Sequence, residues 1–182
     1  MTIDSKIYVL TGRSSSGKTT LIKELEKRGY TVLHETAREV LEERKDYERT
    51  TEEWIYRQRE MFGRQLKQEE DAIKLGEKVI FSDRGLPDVL AYCLHLVGYI
   101  PDELKAFDLR KRYSGIFVPD KLPFKADGTR IEKDDNEVEE IHEKVMNSYR
   151  TQGYNPISVP VFPGNLEESV NGRIEFILDR IK

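Results

Sequence analysis

Gly12-Arg13-Ser14-Ser15-Ser16-Gly17-Lys18-Thr19 matches the pattern G-x-x-x-x-G-K-[ST], and the reading of the whole chain turns on it. Upstream, Ile7-Tyr8-Val9-Leu10 is a short β-rich apolar run; downstream, Leu21, Ile22 and Leu25 recur at helical spacing. Strand, glycine turn and helix are the context that the pattern requires. The glycines let the main chain wrap closely, successive N–H groups point inward, and the helix N-terminus adds partial positive charge, which together make a cradle for a polyphosphate. In such a cradle Lys18 reaches the β and γ phosphates and Thr19 holds Mg²⁺ through its hydroxyl. Gly12, Arg13, Ser14, Ser15, Ser16, Gly17 and Thr20 supply the rest of the wall around ATP or GTP.

Working outward, Gly29 closes the first helix and Thr31-Val32-Leu33-His34 restarts a strand. Thr36 with Glu39, Thr50 with Glu53, Asn136 with Glu139 and Asn165 with Glu168 each set a capping residue three before a carboxylate and so mark four helix starts. The second of these helices runs to Leu75, with Ile55, Phe62, Leu66 and Ile73 as its apolar stripe and Gly76 as its stop. Lys78-Val79-Ile80-Phe81-Ser82 reads as a buried strand; Pro87 suits the first turn of a helix that Gly98 ends, and Pro101 opens another. Gly115-Ile116-Phe117-Val118 is the fourth strand. Pro119 to Asp135 mixes both charges without a period and is expected to be a mobile, lid-like surface loop. A helix carrying Val138, Ile141, Val145 and Tyr149 follows. Ile157 to Val161 makes a last strand, against whose end Pro160 argues, and Val170, Ile174, Ile177, Leu178 and Ile181 make a closing helix. Five strands alternating with helices imply an α/β chain whose parallel sheet has helices on both faces, with ligands collecting at the strand C-termini.

That edge holds the other candidates. Ser82-Asp83-Arg84-Gly85 ends the third strand: Asp83 is placed to bind Mg²⁺ or to take a proton from an acceptor hydroxyl, and Arg84 to clamp a phosphate. Glu35, after the second strand, is the competing base, and Arg38 lies one turn further on; either carboxylate can orient and deprotonate an acceptor, so both stay open. Arg130, in the lid-like loop with Lys121, Lys125 and Lys133, is a candidate to bring a cation onto the transferring phosphoryl group. Phe162 is a candidate flank for the nucleotide base and equally a candidate core residue. Trp54, Tyr56, Arg57, Arg59 and Arg64 decorate the long helix, where packing and solvation explain them as well as an acceptor pocket does. His95 and His142 lack the paired spacing of metal ligands and read as packing or surface residues.

Composition sets outer limits. At 182 residues, with 37% hydrophobic and 35% charged, the chain is expected to form a single domain over 1–182. Thirty Lys plus Arg against 34 Asp plus Glu speak against a nucleic-acid module. Cys93 stands alone, so no disulfide framework can form within one chain, which fits a reducing compartment. No apolar run approaches the length of a membrane span, and Met1 to Lys6 leads straight into strand-like sequence, so a cytoplasmic protein is expected. A homodimer stays open.

Gly12 to Thr20, Glu35-Thr36-Ala37-Arg38-Glu39, Phe81-Ser82-Asp83-Arg84-Gly85-Leu86-Pro87-Asp88 and Arg130 together resemble the small AAA-like P-loop ATPase/kinase family, related to the ribosylnicotinamide kinase domain of the NAD-biosynthesis regulator and to nucleoside/nucleotide kinases. The resemblance implies a three-layer P-loop NTPase fold with strand order 2-3-1-4-5, Mg-ATP or Mg-GTP binding, and phosphoryl transfer or hydrolysis. The Asp83-Arg84 pair also looks like the strand-end motif of thymidylate kinases, with Gly85 where an aromatic often follows; that departure weighs against a nucleoside-monophosphate acceptor. The leading expectation is a kinase that moves the γ-phosphoryl group of ATP to a small-molecule acceptor. The alternative is a nucleotide-dependent regulatory ATPase or GTPase switch that binds a protein or lipid partner. A ring-forming AAA motor is disfavoured, because the chain is short and shows no D-E pair after the third strand.

Overall fold

The structure is a computed structural model that describes residues 5–122 and 135–181. Five strands, β1 (Lys6–Leu10), β2 (Thr31–Leu33), β3 (Val79–Asp83), β4 (Gly115–Pro119) and β5 (Ile157–Val159), pair in the order β2-β3-β1-β4-β5, every pairing parallel. Among the described residues seven helices accompany them: α1 (Lys18–Lys27), α2 (Thr36–Glu43), α3 (Thr51–Lys74), α4 (Leu86–Val97), α5 (Asp102–Lys105), α6 (Asp135–Thr151) and α7 (Leu166–Asp179). Parallel strands need crossovers, and the crossovers cover both faces. In β1 the alternation is direct: Ile7 and Val9 join Ile80, Ile116, Ile141 and Tyr149 in one core, while Tyr8 and Leu10 join Leu21, Leu25, Phe81, Phe117 and Ile174 in the other. A strand must be apolar wherever both its faces are covered, as this one is from Ile7 to Leu10.

The α/β class, the strand order and the helix-covered faces agree with the expectation. Boundaries moved for local reasons. β5 stops at Val159 because Pro160 has no N–H to continue the ladder. Thr50 and Asn165 cap α3 and α7, each accepting from the backbone N–H three residues on. The other two expected caps fall inside their helices. Glu35 precedes α2, so Thr36 lies inside it, and α6 begins at Asp135, so Asn136 lies inside that helix. The larger correction is on α3. Ile73 is 40% exposed, and the buried stripe runs through Trp54, Gln58, Met61, Phe62, Gln65, Glu69 and Ala72. Three of those residues are polar because part of this face looks onto the strand tips rather than onto an apolar core.

Candidate active site

The turn between β1 and α1 has the glycine backbone that the pattern requires. Gly12 and Gly17 take φ of +114° and +87°, a backbone that side-chain-bearing residues rarely adopt. Lys18, buried at the start of α1, folds back so that Nζ donates to the carbonyls of Gly12 (3.2 Å) and Arg13 (2.6 Å). Burial, together with the neighbouring Arg84 charge, brings its ammonium down to about 8. Beyond the loop, Arg13 pairs with Glu139 of α6. From behind, Arg173 of α7, only 2% exposed, donates to the carbonyls of Ser16 (2.8 Å), Asp120 (2.8 Å) and Pro160 (3.3 Å), which ties the loop to the ends of β4 and β5.

A cleft of about 340 Å³ opens in front of Lys18. The phosphate loop and the start of α1 contribute Ser14, Ser15, Gly17, Lys18, Thr19 and Thr20; the strand-tip wall beside them carries Glu35, Arg38, Asp83, Arg84 and Asp88. The strand-tip candidates therefore meet the loop candidates across one space. Thr19 Oγ1 lies 3.4 Å from Asp83 Oδ2, and Asp83 Oδ1 is buried without a hydrogen-bond partner. Burial lifts the Asp83 carboxyl above its ordinary value although Lys18 pulls the other way. Glu35 is held differently. Its Oε1 accepts from Arg84 Nε at 2.6 Å and its Oε2 lies 3.3 Å from Arg38 Nε. Burial alone would raise Glu35, but Arg84, with Lys18 and Arg38 behind it, holds it below the usual carboxylate range.

The turn after β3 explains why its motif reads as it does. Arg84 has φ +73°, and Ser82 Oγ donates to its carbonyl at 2.6 Å. Gly85 follows because there is no room for anything else: a Cβ would sit 2.8 Å from Tyr149 Oη and 3.0 Å from Tyr113 Oη. Asp88, three residues on and 2% exposed, accepts from the Gly85 N–H, Arg84, Thr11 and Tyr149. Its place in the first turn of α4 also sets a negative charge at the helix's positive end. The Gly85 departure from the thymidylate-kinase pattern thus reflects two tyrosines packed under the turn.

Not every expected residue belongs to the cleft. Phe162 seats its ring on α7, over Gly172 and 6.2 Å from the ring of Phe176, and does not line the cleft. Arg57, Arg59 and Arg64 pair with Glu53, Glu103 and Glu43, and with Trp54 and Tyr56 they stay out of the cleft lining. His95 sits between Glu137 and Lys144, and His142 packs against Gly12 with its Nδ1 buried and unpartnered. Arg130, Lys125 and Lys133, with most of the expected lid, lie outside the described residues. Conversely, sequence reasoning missed Gln58, Met61 and Gln65 of α3, Asp88 and Tyr92 of α4, and Arg173. Gln58 and Gln65, seven apart on one face with Met61 between them, were the available signal for a polar-lined wall. Arg173 gave none.

Comparisons with known proteins agree with this geometry. The family described as an AAA domain matches residues 7–168. No curated protein matches the sequence. Among solved structures, the NadR protein in complex with NR superposes with a TM-score of 0.71 at 20% identity over 98% of this chain and 51% of that one. Thymidylate kinase from Ehrlichia chaffeensis gives 0.58 at 15% identity over 98% and 99%, and deoxyadenosine kinase from M. mycoides with bound dATP gives 0.64 at 15% over 96% and 98%. The chain therefore spans about half the length of the NadR protein and nearly all of the two kinases, identities at which the shared property is the fold. Given the extent of the family match and the five-stranded parallel architecture, the chain belongs to the AAA domain family and is built on a P-loop kinase-like fold.

Proposed function

We propose that this protein is a Mg²⁺-dependent phosphotransferase that moves the γ-phosphoryl group of ATP, or GTP, onto a hydroxyl of a nucleoside-like acceptor. The observation that carries this reading is that one cleft is walled in part by the phosphate loop and in part by three carboxylates and two arginines. A nucleotide that is only held or hydrolysed needs the first wall; transfer needs both. Similar structures include a NadR protein with NAD and AMP-PNP and a deoxyadenosine kinase with dATP, which supports a nucleotide in the loop.

The residues divide the work by position. The inward N–H groups of the loop and Lys18 bind the phosphates, and Lys18 exchanges its two carbonyl partners for phosphate oxygens as it does so. Thr19 and Asp83 fit a Mg²⁺ ion: a hydroxyl and a carboxylate lie side by side, and one buried carboxylate oxygen lacks a partner. Among the described residues no group of three or more His, Cys, Asp or Glu gathers to hold a metal, so the ion's other ligands would come from phosphates and water. When bound, it would neutralise charge on the β and γ oxygens. With Asp83 so engaged, Glu35 is the base. It is oriented by Arg84 and Arg38 and kept ionised, which a proton acceptor at neutral pH must be. Arg84 supplies the cation beside the transferring group. Arg130 stays a proposed additional cation.

Leu41, Met61, Val89 and Tyr92 give the cleft apolar surface suited to a flat ring. Gln58, 2% exposed, lines the same wall with a buried Oε1 that has no donor. Such an oxygen calls for an N–H on the ligand, as an amino-bearing base or a carboxamide ring offers. A screen of nucleosides and related amides by ADP release tests the proposal, with Glu35→Gln and Asp83→Asn as variants. We expect acceptor-dependent release that falls about 100-fold or more in both variants, with only Asp83→Asn raising the Mg²⁺ concentration required. ADP release that no acceptor stimulates would overturn the transfer reading and favour the nucleotide switch.

A further inference from the structure

The turn that presents Arg84 is held by more buried polar structure than its reach into the cleft accounts for. Two carboxylates grip it from opposite sides. Glu69 of α3, 0% exposed, accepts from Gln65 Nε2 and Tyr113 Oη, both at 3.0 Å. Gln65 also donates to Ser82 Oγ, the hydroxyl that holds the Arg84 carbonyl, and Tyr113 Oη accepts the Leu86 N–H at 2.9 Å. That chain fixes the main chain. Asp88 acts on the side chain: its Oδ1 accepts from Arg84 Nη1 at 3.1 Å and Thr11 Oγ1 at 2.5 Å, and its Oδ2 from the Gly85 N–H at 3.0 Å and Tyr149 Oη at 2.5 Å. Thr11 immediately precedes the phosphate loop, and Tyr149 belongs to α6, so one buried carboxylate joins the loop's root, the β3 tip and α6.

Burying a carboxylate is unfavourable unless it is fully hydrogen-bonded, and an apolar residue would serve the fold with less demand. Four donors saturate the Asp88 side chain. Its effect on Arg84 follows from geometry. The guanidinium is bracketed, with Nε on Glu35 Oε1 and Nη1 on Asp88 Oδ1, while the Tyr92 ring lies 5.5 Å from its carbon. Without Asp88, Nη1 loses its anchor and the guanidinium is freer to turn until it meets Glu35 bidentately along its Nε–Nη2 edge. Such a fork would withdraw the cation from the cleft and occupy the base at once.

We propose that Asp88, anchored by Tyr149, is a positioning residue that limits the Arg84 guanidinium to its single Nε contact with Glu35, so that cation and base both stay available to the cleft. The proposal rests on the transfer reading above for its kinetic consequence but not for its structural one. The experiment therefore has two readouts on wild type, Asp88→Asn, Tyr149→Phe and the double variant: acceptor-dependent turnover, and the Arg84 side-chain N–H signals in ¹⁵N-arginine-labelled protein, assigned with Arg84→Lys. We expect kcat to fall about 100-fold in Asp88→Asn and about fivefold in Tyr149→Phe, with KM for MgATP within about twofold. The double variant should lose no more than Asp88→Asn, because both changes act through one carboxylate. The Arg84 signals should shift and broaden in Asp88→Asn. A loss confined to KM, additive losses in the double variant, or unchanged Arg84 signals would overturn the proposal. Should Asp88→Asn fail to fold, Tyr149→Phe and Thr11→Val decide by the same signals, each removing one donor. A wild type that transfers to no acceptor sinks the kinase reading alone, and the Arg84 signals still decide the positioning claim.

Discussion

The two walls of the cleft are built by different means. The phosphate loop is eight consecutive residues, its proposed ligand groups are mostly main-chain N–H, and its shape depends on two glycines with positive φ. The strand-tip wall draws side chains from the ends of β2 and β3 and from α2, α3 and α4, and it is held by the buried carboxylates of Asp88 and Glu69. A main-chain site is specified by local spacing. A side-chain site is specified by how distant elements pack, so its parts acquire meaning only when folded. The proposed division of labour follows: the first wall is indifferent to the acceptor, and the second selects it.

Variants can break that division. The largest effect should come from Lys18→Ala, which removes the loop's cation. We expect turnover to fall by about 10³-fold or more whichever acceptor is used, with the circular dichroism spectrum unchanged. Next is Gln58→Leu on the other wall: KM for the acceptor should rise about 10- to 50-fold while KM for ATP stays put, and a matching rise for ATP would erase the distinction between the walls. The pH dependence of nucleotide binding sharpens the picture of the loop. Lys18 in the free protein loses its proton through about 8, and a polyphosphate favours the charged form, so affinity should hold below pH 7 and fall by about tenfold toward pH 9. Calorimetry at pH 8.5 in buffers of different ionisation enthalpy should show proton uptake on binding, absent in Lys18→Ala. The same group has a stability signature of opposite sense. Its folded value lies below the unfolded one, so the unfolded chain binds more protons between about 8 and the ordinary lysine value, and this contribution to stability rises with pH across that window. The smallest functional effect belongs to Gly85→Ala. Its methyl group meets Tyr149 and Tyr113 and should cost about 1–3 kcal/mol, read as a melting temperature lower by roughly 3–10 °C, with nucleotide affinity unchanged.

How much of this was legible in the sequence follows the same line. The alternation of apolar strands with helices gave the α/β class, because a strand has to be apolar wherever both its faces are covered, and the glycine pattern located the loop between β1 and α1. Glu35, Asp83 and Arg84 were found because strand C-termini converge at one edge of a parallel sheet. Asp88 was in view but without a role, since its partners Thr11 and Tyr149 lie 77 and 61 residues away in the chain. The α3 stripe misled because an apolar-periodicity argument assigns buried positions to Ile55 and Ile73, whereas the cleft and the Glu69 network claim Gln58, Gln65 and Glu69 for the interior. Arg173 was illegible for a plain reason: its partners are three main-chain carbonyls, which leave no trace in residue identity.

The central claim, that the two walls meet over a single transferring group, is tested most directly by following the label from γ-³²P-ATP when protein, Mg²⁺ and a panel of nucleosides are combined. The account predicts that the label appears in a phosphorylated small molecule, at a rate that depends on the acceptor and is lost in Glu35→Gln. Label appearing only as inorganic phosphate, at a rate no acceptor changes, would contradict it.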